Sequence, residues 1–318
     1  MSCPAPFQRP AFPPLPASPS VSVILTSYNY AQYVAEAIRS VFAQTYPNVE
    51  LIIVDDGSAD TSRAVIEATL AEAPKTMRVE TVFQEHAGQA AAWNKGFQYV
   101  QGDIVAFLDS DDTWRPEKLE AMVEFIRRVP EGGVFQHQLE VVGGCHPPRS
   151  GSTSTSAEPA QDLGPLGTSP PGTASVPFIP SLPGSTATLR LKQPKLLSAD
   201  LFQEWLALKQ VNVAVHQDVV AVFVPTSGLL WRREVLERLF PLPAQLTSCP
   251  DAFLTRTACA LGPLCSHPAV LGAWREHGAN AGQRTTYSFH QFWRPVVMPA
   301  LNQWYAAHGL PIRFTYHP

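Results

Sequence analysis

From Ser20 to Arg128, short apolar runs alternate with amphipathic stretches without a break. Ser20–Ser27, Val49–Val54, Met77–Phe83 and Asp103–Leu108 read as strands. The first, second and fourth are apolar enough to be buried on both faces of a sheet. Between the first two, Val34, Ala37, Ile38, Val41 and Phe42 fall at the spacing of one helical face. Asp60 is placed to cap a second helix carrying Val65, Ile66, Thr69 and Leu70. Gly88–Val100 reads as a third helix. A fourth opens at Trp114-Arg115-Pro116 and carries Leu119, Met122, Val123 and Ile126. Strict strand–helix alternation predicts an α/β fold: a Rossmann-like, mostly parallel sheet with right-handed crossovers, flanked by helices.

The pattern divides the chain. Residues 1–19 are proline-rich and read as a disordered tail. Residues 20–142 form the alternating half, and 143–194 are rich in Gly, Pro, Ser and Thr, as in a disordered insertion or long surface loop. Residues 195–285 resume with helices at Asp200–Leu208, Arg233–Phe240 and Asp251–Leu261 and strands at Val219–Val224 and Ala269–Trp274. Residues 286–318 read as a helical C-terminal tail broken by Pro295 and Pro299. A net charge of −4 gives no basic field for nucleic acid. Five cysteines without a CxxC pair argue against a zinc site or disulfide framework, and Cys249 and Cys259 read as packing residues of a reduced, intracellular chain. No apolar run approaches the roughly 20 residues of a membrane span. The expectation is a cytoplasmic protein, with peripheral association at the inner membrane face left open.

The fourth strand ends in Asp109, Asp111 and Asp112. Three acids in four residues repel one another, and a hard divalent cation resolves the conflict. In open α/β sheets ligands sit beyond the carboxyl ends of the strands, where this cluster falls. A solvated helix-capping turn is the plainer alternative.

The blocks VSVILTSYNYAQYVAEAIRSVFAQTYPNVELIIVDDGSADTS, GQAAAWNKGF and GDIVAFLDSDDTWRPEKLE occur in order. Together they resemble the nucleotide-sugar half of the GT-A, family 2 glycosyltransferases. TSGLLWRREVLERL, PDAFLTRTACALGPL and WREHGANAG resemble the acceptor half more weakly. The resemblance implies an inverting transferase that uses Mn²⁺ or Mg²⁺ and a nucleoside-diphosphate sugar, a UDP-sugar above others. Its acceptor would be a carbohydrate, a lipid-linked sugar or a protein, with cell-surface polysaccharide or glycoconjugate synthesis as the setting.

By the same resemblance Thr26 and Tyr28 meet the base and ribose, and Asp56 accepts from the base, with Asp55 as a support. Gln89, Asn94 and Lys95 approach the nucleotide, while Trp93 is bulky for its place and packs. Asp109, Ser110 and Asp111 form the DxD, with Asp112 beside them and His277 as a further metal or phosphate partner. Asp251 is the general base; a helix-cap role is its alternative, and Pro250 stands where many relatives have a second acid. Thr226, Ser227 and Gly228 match the acceptor loop, and Arg275 and Asn280 match a segment near the diphosphate. Two other classes compete. A sugar-nucleotide nucleotidyltransferase would need a glycine-rich phosphate loop where TSYNYAQY stands. A catalytically degenerate sugar-nucleotide-binding scaffold would keep the fold without turnover.

Overall fold

The computed structural model describes residues 9–143, 211–214, 224–278, 280, 289–310 and 312–315. The alternating half folds as β1 (Val21–Ser27), α1 (Val34–Phe42), β2 (Val49–Asp55), α2 (Ser62–Thr69), β3 (Arg78–Phe83), α3 (Gln89–Phe97), β4 (Ile104–Asp109), β5 (Thr113–Trp114) and α4 (Lys118–Arg128). β6 (Val134–Gly143), β7 (Val211–Ala214), β8 (Leu229–Arg232), α5 (Arg233–Leu236), α6 (Pro250–Leu261) and β9 (Leu264–Glu276) follow. A π-helical segment (Phe289–Val297) runs into α7 (Met298–Ala307), and β10 (Ile312–Thr315) pairs with β7.

The main sheet has the order β3-β2-β1-β4-β8-β6-β9-β5. β3, β2, β1 and β4 are parallel; β8 runs antiparallel between β4 and β6, and β9 lies parallel to β6. Apolar side chains alternate between two cores. Ile24, Ile52, Val105, Phe107 and Trp93 fill one face, and Val23, Leu25, Leu51, Ala106 and Leu108 fill the other. A strand buried on both sides must be apolar at every position, which is why these runs are continuous.

The register builds a rim. Thr26 pairs with Asp109 and Ser27 with Asp55, so β1, β2 and β4 end level. β8 enters from the opposite direction with Ala106 beside Leu230. Its leading turn, Thr226–Gly228, therefore reaches the same rim.

Several expectations are corrected. The tail expected to be disordered over 1–19 is docked from Arg9 onward. Arg9 Nη2 donates to the Cys259 carbonyl at 2.8 Å, and Arg232 Nη1 donates to the Pro13 carbonyl at 2.9 Å. Phe12 and Leu15 pack on the two cores, which repays the ordering of the strap with apolar burial. β6 and β8 lie where the sequence reading placed no strand, and the expected Arg233–Phe240 helix stops at Leu236. Pro295 sits inside the π-helical segment, and Pro299 lies in the first turn of α7, where no amide donor is needed. The expected helix at Asp200–Leu208 and most of the 143–194 insertion lie outside the described residues, as does Val219–Val224 except for Val224. Among the described residues no helix is long and apolar enough to cross a membrane.

Candidate active site

A cavity of about 710 Å³ opens over the rim. It is lined by β1 and its following turn, the 86–89 loop, Asp109–Asp111, Thr226, the 247–251 segment, Trp274 and Asn280. Four carboxylates face it, those of Asp56, Asp109, Asp111 and Asp251, and no lysine or arginine lines it among the described residues.

The three acids after β4 divide their work. Asp109 and Asp111 line the cavity. Burial first, then repulsion from Asp111, Asp112 and Asp251, pushes the Asp109 carboxyl well above the usual range. Asp111 Oδ2 meets His277 Nε2 at 3.0 Å and accepts from Asn280 Nδ2 at 3.3 Å. His277 is held there by stacking on Tyr33, with ring centroids 4.8 Å apart. Asp112 departs from its expected place among the metal ligands. It is buried behind the cavity, accepts from Ser227 Oγ at 2.6 Å and from the Arg275 amide at 2.8 Å, and pins the β5 turn to both segments. Burial, reinforced by Asp111 and opposed by those two contacts, pushes its carboxyl up to about 8.

Ser227 is the hinge of this arrangement. Its hydroxyl also accepts from the Asp109 amide at 3.1 Å, and its carbonyl accepts from Trp114 Nε1 at 2.8 Å. Lys118 Nζ lies 2.9 Å from the centre of the Trp114 ring and is fully buried. Burial pushes this amine well below the usual lysine range. The unfolded chain then binds the extra proton, so stability rises with pH toward about 10.4, by up to about 1.4 kcal/mol per unit. Lys118→Met is expected to remove that slope. Denaturation midpoints at pH 7 and 9 for both proteins check this, and parallel pH dependence would show a charged amine in the fold.

Asp56 is placed at the cavity but is already occupied. Its oxygens accept from Gln84 Nε2 at 2.7 Å and from the amides of Ala87 and Gly88 at 2.9 Å each, and His86 Nδ1 lies 2.9 Å away. His86 Nδ1 also lies 3.1 Å from the Asp56 carbonyl oxygen, so Asp56 anchors the 84–88 loop while its carboxylate lines the cavity. Gly88 closes that loop at φ 91°, where a Cβ would stand 2.7 Å from the Thr247 carbonyl. Tyr28 stacks on His86 with centroids 4.0 Å apart, offering a flat aromatic surface at the mouth. Ser27 Oγ is buried at the lining with no partner among the described residues. Asp55 turns away, accepting from the amide and hydroxyl of Ser58.

Gln89 ties the halves together. Its Nε2 donates to Asp109 Oδ1 at 3.3 Å, and its Oε1 accepts from the Cys249 amide at 3.2 Å. Asn94 does not reach the cavity, against expectation. It is spent on both backbone groups of Leu242, at 2.9 and 2.7 Å. Lys95 lies over Tyr99, and Trp93 is buried against Phe107.

Asp251 lies in the first turn of α6 and faces the cavity. Burial raises its carboxyl, while Arg256 and the amides of the helix start oppose the shift. Arg256 reaches back to the Ala252 carbonyl at 2.8 Å and lies under Trp293, 4.5 Å from its centroid. Thr226, Ser110 and Asn280 line the cavity; Gly228 and Arg275 support it from behind, Arg275 Nε donating to the Asp111 carbonyl at 2.9 Å. Cys249, expected as a packing residue, stands in the wall with its thiol pushed up to about 12, chiefly by burial. His86 and Cys249 carry no local pattern that would have marked them, and Trp274 opens the WREHGANAG block without having been singled out.

The comparisons follow this geometry. The family model "Glycosyl transferase family 2" matches residues 22–169. An uncharacterised glycosyltransferase of Nostoc sp. is 34% identical over 261 residues, covering 82% of this chain and 66% of its own. TuaG of Bacillus subtilis, named for teichuronic acid biosynthesis, is 42% identical over 109 residues, covering 34% of this chain and 42% of its own. The chain thus spans two thirds or less of the length of these relatives. Among solved structures, S. aureus TarS in complex with UDP-GlcNAc superposes with a TM-score of 0.59 at 18% identity, over 89% of this chain and 66% of that one. The mannosyltransferase PcManGT of Pyrobaculum calidifontis, in complex with GDP-Man and Mn²⁺, gives 0.51 at 19% identity, over 88% and 62%. With the parallel half-sheet, the acidic rim after β4 and these matches in hand, the chain belongs to glycosyl transferase family 2 and has the GT-A fold.

Proposed function

We propose that this protein is an inverting, metal-dependent glycosyltransferase. It would move a sugar from a nucleoside-diphosphate sugar, a UDP-sugar first, to a hydroxyl acceptor in cell-surface polysaccharide or glycoconjugate synthesis. The observation that carries the reading is the charge of the cavity: four carboxylates and no lysine or arginine among its described lining. A diphosphate enters such a site only with a cation. Asp109 and Asp111 supply hard oxygens that suit Mg²⁺ or Mn²⁺, with His277 beside Asp111. Among the described residues no group of three ligands is ready-made. That fits an ion of this type, commonly held by one or two carboxylates together with substrate phosphates. The cation would neutralise charge on the departing diphosphate. PcManGT with GDP-Man and Mn²⁺, and TarS with UDP-GlcNAc, support the reading from the same fold.

The chain's own residues do the rest. The Tyr28–His86 surface receives the base, and Ser27 Oγ is a buried group in want of a partner. Asp251 accepts the proton of the acceptor hydroxyl as its oxygen attacks the anomeric carbon opposite the leaving diphosphate, which inverts the configuration. Burial raises its basicity, opposed by Arg256 and by the amides at the helix start. Calorimetric titration with UDP, GDP and dTDP, with Mn²⁺ and then with chelator, tests the donor site. UDP binding that needs Mn²⁺ is expected. Failure of the folded protein to bind any of the three would favour a scaffold without turnover.

A further inference from the structure

Trp274 differs from the other described tryptophans. Trp93 and Trp231 meet Phe107, Trp114 meets Lys118, Trp293 meets Arg256 and Trp304 meets His308. The Trp274 side chain has no ring, cation or hydrogen-bond partner among the described residues, and it packs on neither core. Its indole nevertheless lines the same cavity as Asp251, Asp111 and Asn280. A partly buried indole at a cavity wall, without a partner of its own, offers its face to a ligand.

We infer that Trp274 is the platform for the acceptor, and that the acceptor's reacting unit is a neutral pyranose ring. The inference rests on the glycosyltransferase reading and adds the acceptor class to it. The C–H face of a pyranose carries partial positive charge and lies against the negative face of an indole. Its hydroxyls meet the polar lining of the same wall, with the Thr226 hydroxyl and the Asp251 carboxylate among it. With Asp109 and Asp111 taken up by the cation, the Asp251 carboxylate remains, with no lysine or arginine lining the cavity among the described residues, and it disfavours a uronate or phosphorylated polyol at this end. Trp274 is held in reach by β9, whose register with β6 runs through Trp274 and Val141. The next residue, Arg275, is tied to the rim, its carbonyl accepting from Asn280 Nδ2 at 2.8 Å.

The test uses the full chain saturated with UDP and Mn²⁺. Methyl β-D-glucopyranoside and methyl N-acetyl-β-D-glucosaminide are titrated against methyl β-D-glucuronide and glycerol 3-phosphate, read by saturation-transfer NMR. The neutral glycosides are expected to bind at least about tenfold more tightly than the two anions. Trp274→Ala should weaken the neutral glycosides about tenfold, and Trp274→Phe only about threefold, because a smaller aromatic face remains. UDP affinity should stay within about twofold in both variants. Loss of UDP binding by the wild-type protein would count against the donor site itself. Retained UDP binding with no glycoside binding, or with the anions preferred, would overturn the acceptor inference alone. So would a Trp274→Ala protein that binds glycosides normally but loses the extra affinity of UDP-GlcNAc over UDP, because the indole would then serve the donor sugar.

Discussion

Asp251→Asn is expected to bind UDP and Mn²⁺ normally and to lose transfer by about 10²–10⁴-fold, the usual worth of a positioned general base. The substitution keeps the size of the side chain and an oxygen for the amides at the start of α6. It removes the group that takes the acceptor proton. The split between intact donor affinity and lost turnover separates this role from helix capping. A cap acts on folding, and its loss would show as a lower melting temperature, by about 1 kcal/mol of stability, with transfer retained. Calorimetry, a melting curve and a UDP-release assay on one preparation distinguish the two, and unimpaired transfer would remove Asp251 from the mechanism.

The second large effect is at Asp111. Asp111→Ala should lower Mn²⁺-dependent UDP affinity by roughly a hundredfold, about 2.7 kcal/mol. It removes a carboxylate at the cavity and leaves His277 Nε2 and Asn280 Nδ2 without that oxygen. Asp112→Ala makes the contrast. Its carboxylate faces Ser227 and the Arg275 amide, so the loss falls on stability, roughly 1–3 kcal/mol for buried donors left unpaired. Two neighbouring acids thus give two readouts. Equal loss of UDP affinity in both variants would mean that Asp112 also faces the metal.

The first half of the fold was legible because burial on both sheet faces demands uninterrupted apolar runs, and β1, β2 and β4 have them. β6 was not, because its centre is polar. Gln136, His137 and Gln138 are buried in that strand and break any apolar run. β8 spans only Leu229–Arg232, too short for a period to show. At the site, the residues that the family resemblance singled out, Thr26, Tyr28, Asp109, Asp111 and Asp251, all line the cavity. Order does not give direction, however. The chain turns back on itself at Asp112, whose amide donates to the Asp109 carbonyl, so Asp112 went behind the wall while Asp111 stayed in it. Asn94 was drawn away by Leu242, and His86 was brought in by a loop from a distant part of the chain. Such pairings are tertiary and leave no mark within a short window of sequence.

The strap from Arg9 to Pro19 works as a cross-brace. It is fastened at one end to the last turn of α6, the helix that carries Asp251, and along its length to Arg232 at the end of β8. At the other end the Tyr46 hydroxyl holds the Pro19 carbonyl just before β1. The segment therefore spans from the entry of the donor half to the far end of the acceptor half. A rigid-body swing of one half against the other would have to peel this brace away. The distance between Asp109 and Asp251 is accordingly kept by the frame.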